Sequence, residues 1–123
     1  MPALAALALC LSPVAIDGDT LKCAGLPASI RITGIDAPEM PGHCRKLRVC
    51  APGDPYRARA AMRAAVATAK VEYRPLGIDR YKRTIAAVYA DGVNVSCMMV
   101  STGNAIYKPT WDKGKITKKE CGL

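Results

Sequence analysis

The chain predicts a small α+β domain, mainly β, and three observations carry that expectation. Its 123 residues give room for one domain of ordinary size. Half of them are apolar, enough for a real core and too many for global disorder. Short strand-like runs, punctuated by Gly, Pro and Asp, surround a single long helical run.

The elements follow in order. Leu9 to Ile16 reads as a strand closed by Asp17-Gly18, a two-residue hairpin signal, and Thr20 to Ala24 returns antiparallel. After a turn at Gly25-Leu26-Pro27, Ser29 to Ile35 alternates as a third strand and Ala37-Pro38 ends it. Met40 to Pro55 is rich in Pro, Gly, Cys and Arg, which is loop chemistry. Pro55 to Lys70 predicts the long helix: Asp54 can cap it, Pro55 suits its first position, and Ala58 to Ala69 is nearly all helix-favouring. Val71 to Pro75 and Thr84 to Tyr89 are strands around a turn at Gly77 to Tyr81. Val93 to Thr102 fits a short second helix stopped by Gly103, and beyond Pro109 the tail is basic and weakly patterned. Closed with antiparallel pairing, such elements make a five-stranded barrel of the oligonucleotide-binding (OB) type with one long and one short helix. One domain spans residues 9–123. Residues 1–8 read either as the remnant of a signal peptide or as a lead into the first strand.

Lys and Arg number 18 against 10 Asp and Glu, a net charge of +8. That surplus favours polyanionic partners. The chain lacks a long amphipathic basic helix, which counts against action on membranes. Six cysteines occur without a CxxC pair and beside a single histidine, so a zinc finger has little to stand on. Disulfides in an oxidising compartment fit better, and a secreted or periplasmic location is expected. Cys44 with Cys50 is the most local pairing; Cys10 with Cys23 would staple one hairpin, leaving Cys97 with Cys121. Six cysteines allow fifteen connectivities, and spacing does not choose among them.

Three charged segments carry the candidate chemistry. Asp17-Gly18-Asp19-Thr20 is, by itself, a hairpin turn with capping aspartates. Arg31-Ile32-Thr33-Gly34-Ile35-Asp36-Ala37-Pro38-Glu39 is, by itself, a strand end with a surface ion pair. Asp79-Arg80-Tyr81-Lys82-Arg83 is, by itself, a solvated corner. Together, in this order and followed by Thr84-Ile85-Ala86-Ala87-Val88-Tyr89, they resemble the staphylococcal nuclease-like (thermonuclease) family from about Leu9 to Pro109. Tyr107-Lys108-Pro109 also matches a tripeptide of the family's prototype.

The resemblance implies a calcium-dependent phosphodiesterase that cuts DNA and RNA with little sequence preference and leaves 3′-phosphate ends. It implies Ca2+ held by Asp19, Asp36 and the carbonyl of Ala37, arginines Arg31 and Arg83 on the phosphate, and Glu39 as general base. Tyr81 and Tyr107 map near the nucleotide. Lys82 stands where the family usually has Gly; if the position needs positive φ, Lys is strained there, although another cation beside a phosphate is congenial. The tail after Pro109 is shorter than the prototype's, so a long last helix is not expected. Chemistry independently asks for such a set. A hard cation takes oxygen ligands, a carboxylate can accept a proton from water, and guanidinium forks match phosphate oxygens.

Beside this reading stand ordinary roles. Tyr107 can be half-buried scaffold, Trp111 can stack on a base or plug the barrel end, and the basic loop from His43 to Cys50 either flanks the cleft or is a solvated, stapled loop. The rival function is a non-catalytic nucleic-acid-binding module of the same fold. Its weakness is that a pure binder has no use for acidic groups facing phosphate. A monomer acting on DNA and RNA substrates, with no membrane partner, is the expectation.

Overall fold

The computed structural model describes residues 6–123, so most of the 1–8 segment lies outside the described residues. Its strands are β1 (Ala8–Leu9), β2 (Val14–Asp17), β3 (Thr20–Lys22), β4 (Ile30–Ile32), β5 (Ile35–Asp36), β6 (Val71–Ile78), β7 (Thr84–Ala90), β8 (Val93–Asn94) and β9 (Ile106–Tyr107). The helices are α1 (Pro55–Val66), α2 (Val95–Ser101) and α3 (Ile116–Cys121). The architecture is mixed α+β, with a curled main sheet in the order β1-β6-β7-β4-β3-β2, β8 beside β7, and a separate β5-β9 pair.

The curl begins with the first apolar run. One continuous strand was expected there. Instead Ser12 takes a left-handed φ of 47° before Pro13, which has no amide to give a ladder. The run therefore splits. Its first half pairs with β6 and its second half with β3, so one stretch of chain borders both ends of the sheet path. Cys10–Cys23 staples the kink to the segment after β3, with both residues in the core.

The β2–β3 turn also departs from expectation by one residue. A register irregularity between Ala15 and Asp17 makes Gly18-Asp19 the turn, in place of Asp17-Gly18. Gly18 is needed for space: a Cβ there would come within 2.9 Å of Ala37 Cβ and 3.0 Å of Ala58 Cβ. The third strand breaks into β4 and β5 at Thr33-Gly34. Gly34 has φ of +80°, and a Cβ on it would fall 2.4 Å from Thr117 Oγ1. β4 pairs with β7 in parallel, against the all-antiparallel expectation. The long α1–β6 crossover supplies the chain that a parallel pair requires.

α1 keeps the expected start: Asp54 accepts hydrogen bonds from the amides of Tyr56 (2.9 Å) and Arg57 (3.3 Å), with Pro55 in the first turn. Ala58, Met62 and Val66, four apart, bury one face of it. It stops at Val66, short of Lys70, whose amide and carbonyl are bound to Asp91 beside β6. β6 runs past Pro75 to Ile78 because Pro75 sits at an irregularity of the ladder with β7. β8 precedes α2, which Asn94 caps through the Ser96 amide.

The tail carries a helix that its sequence pattern did not announce, so there are three helices where two were expected. Asp112, almost buried, accepts from the amides of Thr117 and Lys118 at the start of α3 and from the Tyr107 hydroxyl at 2.7 Å. Cys97–Cys121 ties α3 to α2. Thr117 is fully buried and donates to the Thr33 carbonyl, holding the tail against the β4–β5 break. No helix among the described residues is long and apolar enough to cross a membrane.

The β6–β7 corner falls at residues 79–82, later than the expected Gly77 to Tyr81. Asp79 Oδ1 accepts from the amides of Tyr81 and Arg83, both at 2.9 Å, and Oδ2 from Arg83 Nε at 2.7 Å. Burial pushes the Asp79 carboxyl up, but these donors outweigh it and hold the group below its ordinary value. Lys82 completes the corner with a left-handed φ of 68°. Such a conformation costs a non-glycine residue about 1–2 kcal/mol.

Two stability predictions follow from these contacts. Lys82→Gly should raise stability by about 0.5–1 kcal/mol in urea unfolding, the relieved strain less the added freedom of the unfolded chain. Asp112→Ala should lose about 1–2 kcal/mol at pH 7, the worth of a helix N-terminal cap. Burial raises the Asp112 carboxyl, yet the amides of Thr117 and Lys118 and the Tyr107 hydroxyl hold it below its ordinary value. Its contribution is thus present above the unfolded pKa and lost as pH falls through the folded one. The gap between wild type and Asp112→Ala in urea midpoints should shrink as the pH falls through the carboxylate range.

Candidate active site

A cleft of about 1190 Å3 opens over β4, the β6–β7 corner and the loop of residues 40–50. Strand alternation builds its floor. Ile30 and Ile32 point into the core, so Arg31 between them must point outward, into the cleft. The β2–β3 turn delivers Asp19 beside it, and the end of β5 delivers Asp36.

The two carboxylates are 2% and 1% exposed. Arg31 Nη2 lies 3.2 Å from Asp19 Oδ2 and 3.7 Å from Asp36 Oδ1, while Arg31 Nη1 donates to the Ile32 carbonyl at 2.9 Å. Asp19 Oδ2 also accepts from the Ala37 amide at 2.8 Å, and Oδ1 from the Thr20 hydroxyl at 3.0 Å. Asp36 Oδ1 accepts from Arg48 Nη2 at 3.0 Å, and the other nitrogen of that fork, Nη1, binds Glu39 Oε1. Asp36 Oδ2 is buried with no partner among the described residues.

That orphan oxygen is the site's least satisfied atom. Burial pushes the Asp36 carboxyl above its ordinary value; Arg48 pulls it down, Asp19 pushes it up, and Arg31 and Lys108 pull it down again. A buried acceptor without a donor is destabilising by about 1–3 kcal/mol, more when charged. A cation supplies what the atom lacks. The buried carboxylate oxygens of Asp19 and Asp36 are the kind of donor a hard divalent ion takes. The sulfurs of Cys44 and Cys50 near Glu39 are joined in a disulfide and offer no thiolate to a softer metal.

The walls are basic and aromatic. Arg83 lines the cleft with its guanidinium aimed by Asp79. The Tyr81 ring also lines it, with the Arg45 guanidinium 3.6 Å from the ring centroid and that of Arg83 at 5.5 Å. Trp111 stands opposite β4, approached by Arg31 and Arg48 at 5.3 Å each. Lys82 and Tyr107 are not among the lining residues: Lys82 is exposed on the corner, and Tyr107 spends its hydroxyl on Asp112.

The structure therefore brings Asp19, Arg31, Asp36 and Glu39 into one network joined through Arg31 and Arg48, puts Arg31, Glu39, Arg83 and Tyr81 on the cleft, and leaves Asp19, Asp36 and Ala37 buried behind it and Tyr107 and Lys82 outside its lining. Arg48 is not singled out by sequence: it is one of several cations in a loop, and no spacing distinguishes it from Arg45 or Lys46. Trp111, set in a tail without periodicity, stands on the cleft itself. His43 Nδ1 sits 3.0 Å from Asp17 Oδ1, a partner 26 residues away.

Comparison with known proteins bears on what this network is. The family model described as staphylococcal nuclease homologue matches residues 29–121, which include Arg31, Asp36, Glu39 and Arg83. Among curated proteins, the chain is similar to the succinoglycan biosynthesis protein ExoI of Rhizobium meliloti (strain 1021). The two are 32% identical over 105 residues, which is 80% of this chain and 52% of that protein. The chain thus spans about half the length of that relative. The match runs from the strand that carries Arg31 to the helix that closes the tail, so this chain belongs to the staphylococcal nuclease homologue family.

Proposed function

We propose that the chain is a calcium-dependent phosphodiesterase that hydrolyses DNA and RNA with little sequence preference. The observation that carries this reading is Asp36, buried beside Asp19 with a partnerless oxygen, behind Arg31 and Arg48 of a cleft whose charges are mostly cationic. A site made only to bind nucleic acid has no reason to bury two carboxylates under the phosphate. We further read the curled sheet as the five-stranded OB-type barrel, with β1 and β2 as two halves of one strand.

In this reading Asp19, Asp36 and the Ala37 carbonyl hold calcium, whose chemistry when bound is to polarise a phosphate oxygen. Arg31 and Arg83 present planar forks to the non-bridging oxygens, where negative charge grows as a fifth bond forms at phosphorus. Glu39 accepts the proton of the attacking water as its oxygen bonds to phosphorus; the P–O5′ bond breaks, and the departing 5′-oxygen takes a proton from solvent. Tyr81 and Trp111 offer ring faces to bases without selecting among them, which supports low sequence preference. Tyr107 serves through Asp112 by holding the tail that carries Trp111, and Lys82 adds to the field beside Arg83. Three disulfides support an oxidising, secreted or periplasmic setting. We assign a monomer, and 3′-phosphate ends as the products.

The test is degradation of single-stranded DNA and of RNA with calcium, and then with excess chelator. Wild type should cleave both, stop with chelator, and resume when calcium is restored. Glu39→Gln should lower turnover by roughly 10²–10⁴-fold, the usual worth of a positioned base, while calorimetry shows nucleotide and calcium binding largely kept. Near-normal turnover in that variant would remove Glu39 from the chemistry. Binding without cleavage, unaffected by chelator, would favour a nucleic-acid-binding module.

A further inference from the structure

We propose that Arg48 is a tethered counter-ion of the cation site: it stands between Asp36 and Glu39 in place of the divalent ion, withdraws when the ion enters, and then binds a substrate phosphate. The inference rests on the reading of a divalent-ion site given above, and deepens it.

The geometry is that of a substitute cation. One guanidinium joins two carboxylates from different parts of the chain, Nη2 to Asp36 and Nη1 to Glu39. It satisfies Asp36 Oδ1 and leaves Oδ2, one residue side of the same carboxylate, without a donor. A planar fork can reach outward-facing lone pairs, but not the buried one. A small divalent ion carries twice the charge and can serve the oxygen that Arg48 misses. Both cannot sit against Asp36 at full strength, because like charges at contact distance repel strongly where water is largely excluded.

The loop that carries Arg48 is built so that withdrawal is cheap. Cys44–Cys50 closes it into a short ring. At its tip Leu47 is fully exposed with a left-handed φ of 66°, and Val49 is 94% exposed. The residues on either side of Arg48 therefore bury no apolar surface against the body, and segments with few buried contacts open at low free energy. The Arg48 side chain itself is 26% exposed. Its contacts to the domain are the two carboxylates and the Trp111 ring face, 5.3 Å away. Once released, the guanidinium stays in a cleft lined by Arg31, Arg45 and Lys46, whose carboxylates Asp17 and Asp79 already have His43 and Arg83 as partners. A phosphate is the group that supplies one.

Competition and release together give a linkage. Substrate phosphate should tighten ion binding, and the ion should tighten phosphate binding by the same factor, because each favours the withdrawn position of Arg48. A cation site of modest intrinsic strength would then load mainly when nucleic acid is present.

The experiment is a calcium titration of the intact chain without nucleotide, read by calorimetry and by emission of Trp111, the sole tryptophan. It is repeated with a saturating nucleoside 3′,5′-bisphosphate. Arg48→Gln should bind calcium roughly 5- to 100-fold more tightly than wild type without nucleotide, the usual span of such couplings. The tightening that the bisphosphate produces should be smaller in the variant than in wild type. Calcium should shift Trp111 emission in wild type more than in Arg48→Gln, since only wild type moves a guanidinium off the ring. Arg48→Lys, which keeps the charge and loses the fork, should fall between them and guards against a folding defect in the glutamine variant. Unchanged or weaker calcium affinity in Arg48→Gln and Arg48→Lys, with wild type binding calcium, would overturn the role of Arg48 and leave the ion site standing. Calcium binding by none of the three would overturn both.

Discussion

Two carboxylates taken out of water side by side form the constraint on which this structure depends. Asp19 comes from the β2–β3 turn and Asp36 from the end of β5, yet both are almost wholly buried against one arginine. Like charges at this depth repel, and each has lost its hydration. The local architecture answers that demand. β4 pairs with β3 so that Thr20 and Arg31 sit in register, which sets the Arg31 guanidinium beside Asp19. The Ala37 amide turns inward to Asp19, and glycine at position 18 lets the turn press against Ala37 and Ala58. A bulkier turn would move Asp19 away from Arg31. The partnerless oxygen of Asp36 is what this scaffold leaves unsatisfied.

The tail belongs to the same argument. Its contacts converge on the break between β4 and β5, where the Gly34 amide donates to the Trp111 carbonyl and the Thr33 hydroxyl donates to it as well. Asp112 fixes the start of α3, and Thr117 seats α3 against Thr33. Trp111 is thereby held over Arg31. Cys97–Cys121 stabilises this closure by linking α3 to α2, and a native bridge in a small domain contributes about 2–5 kcal/mol. A short terminal helix with a disulfide thus does a job that could otherwise require a longer helix and more buried surface.

What the sequence made legible, and what it did not, divides along physical lines. Local chemistry was readable: Asp54 and Pro55 start α1, Gly103 follows α2, and the charged segments at residues 17–20, 31–39 and 79–83 mark the turns and strand ends around the cleft. Breaks inside apolar runs were harder. Ser12-Pro13 and Thr33-Gly34 interrupt patterns that alternate well enough for single strands, and only the pairing partners at each side reveal the split. The parallel β4–β7 pair is invisible to periodicity because alternation is the same for either direction. α3 was missed because its stability comes from Asp112, Thr117 and a disulfide, all tertiary or capping effects, and not from an amphipathic stripe. Arg48 and Trp111 share that fate: their roles are set by a loop and a tail folding back onto residues far away in the chain. Tyr107 erred in the opposite sense, since a matching tripeptide says nothing of the Asp112 carboxylate that takes its hydroxyl.

We propose that Asp36 is buried in order to hold a divalent ion. The most direct measurement is the thermal midpoint of wild type and Asp36→Asn as calcium is raised from chelator-clean buffer to millimolar levels. Binding to the folded state alone stabilises it by RT ln(1 + c/Kd), with c the free calcium concentration, so the effect keeps growing as calcium is raised above its Kd. The account predicts a midpoint that climbs with calcium in wild type and stays flat in Asp36→Asn. Equal calcium shifts in the two proteins, or no shift in wild type, would contradict it.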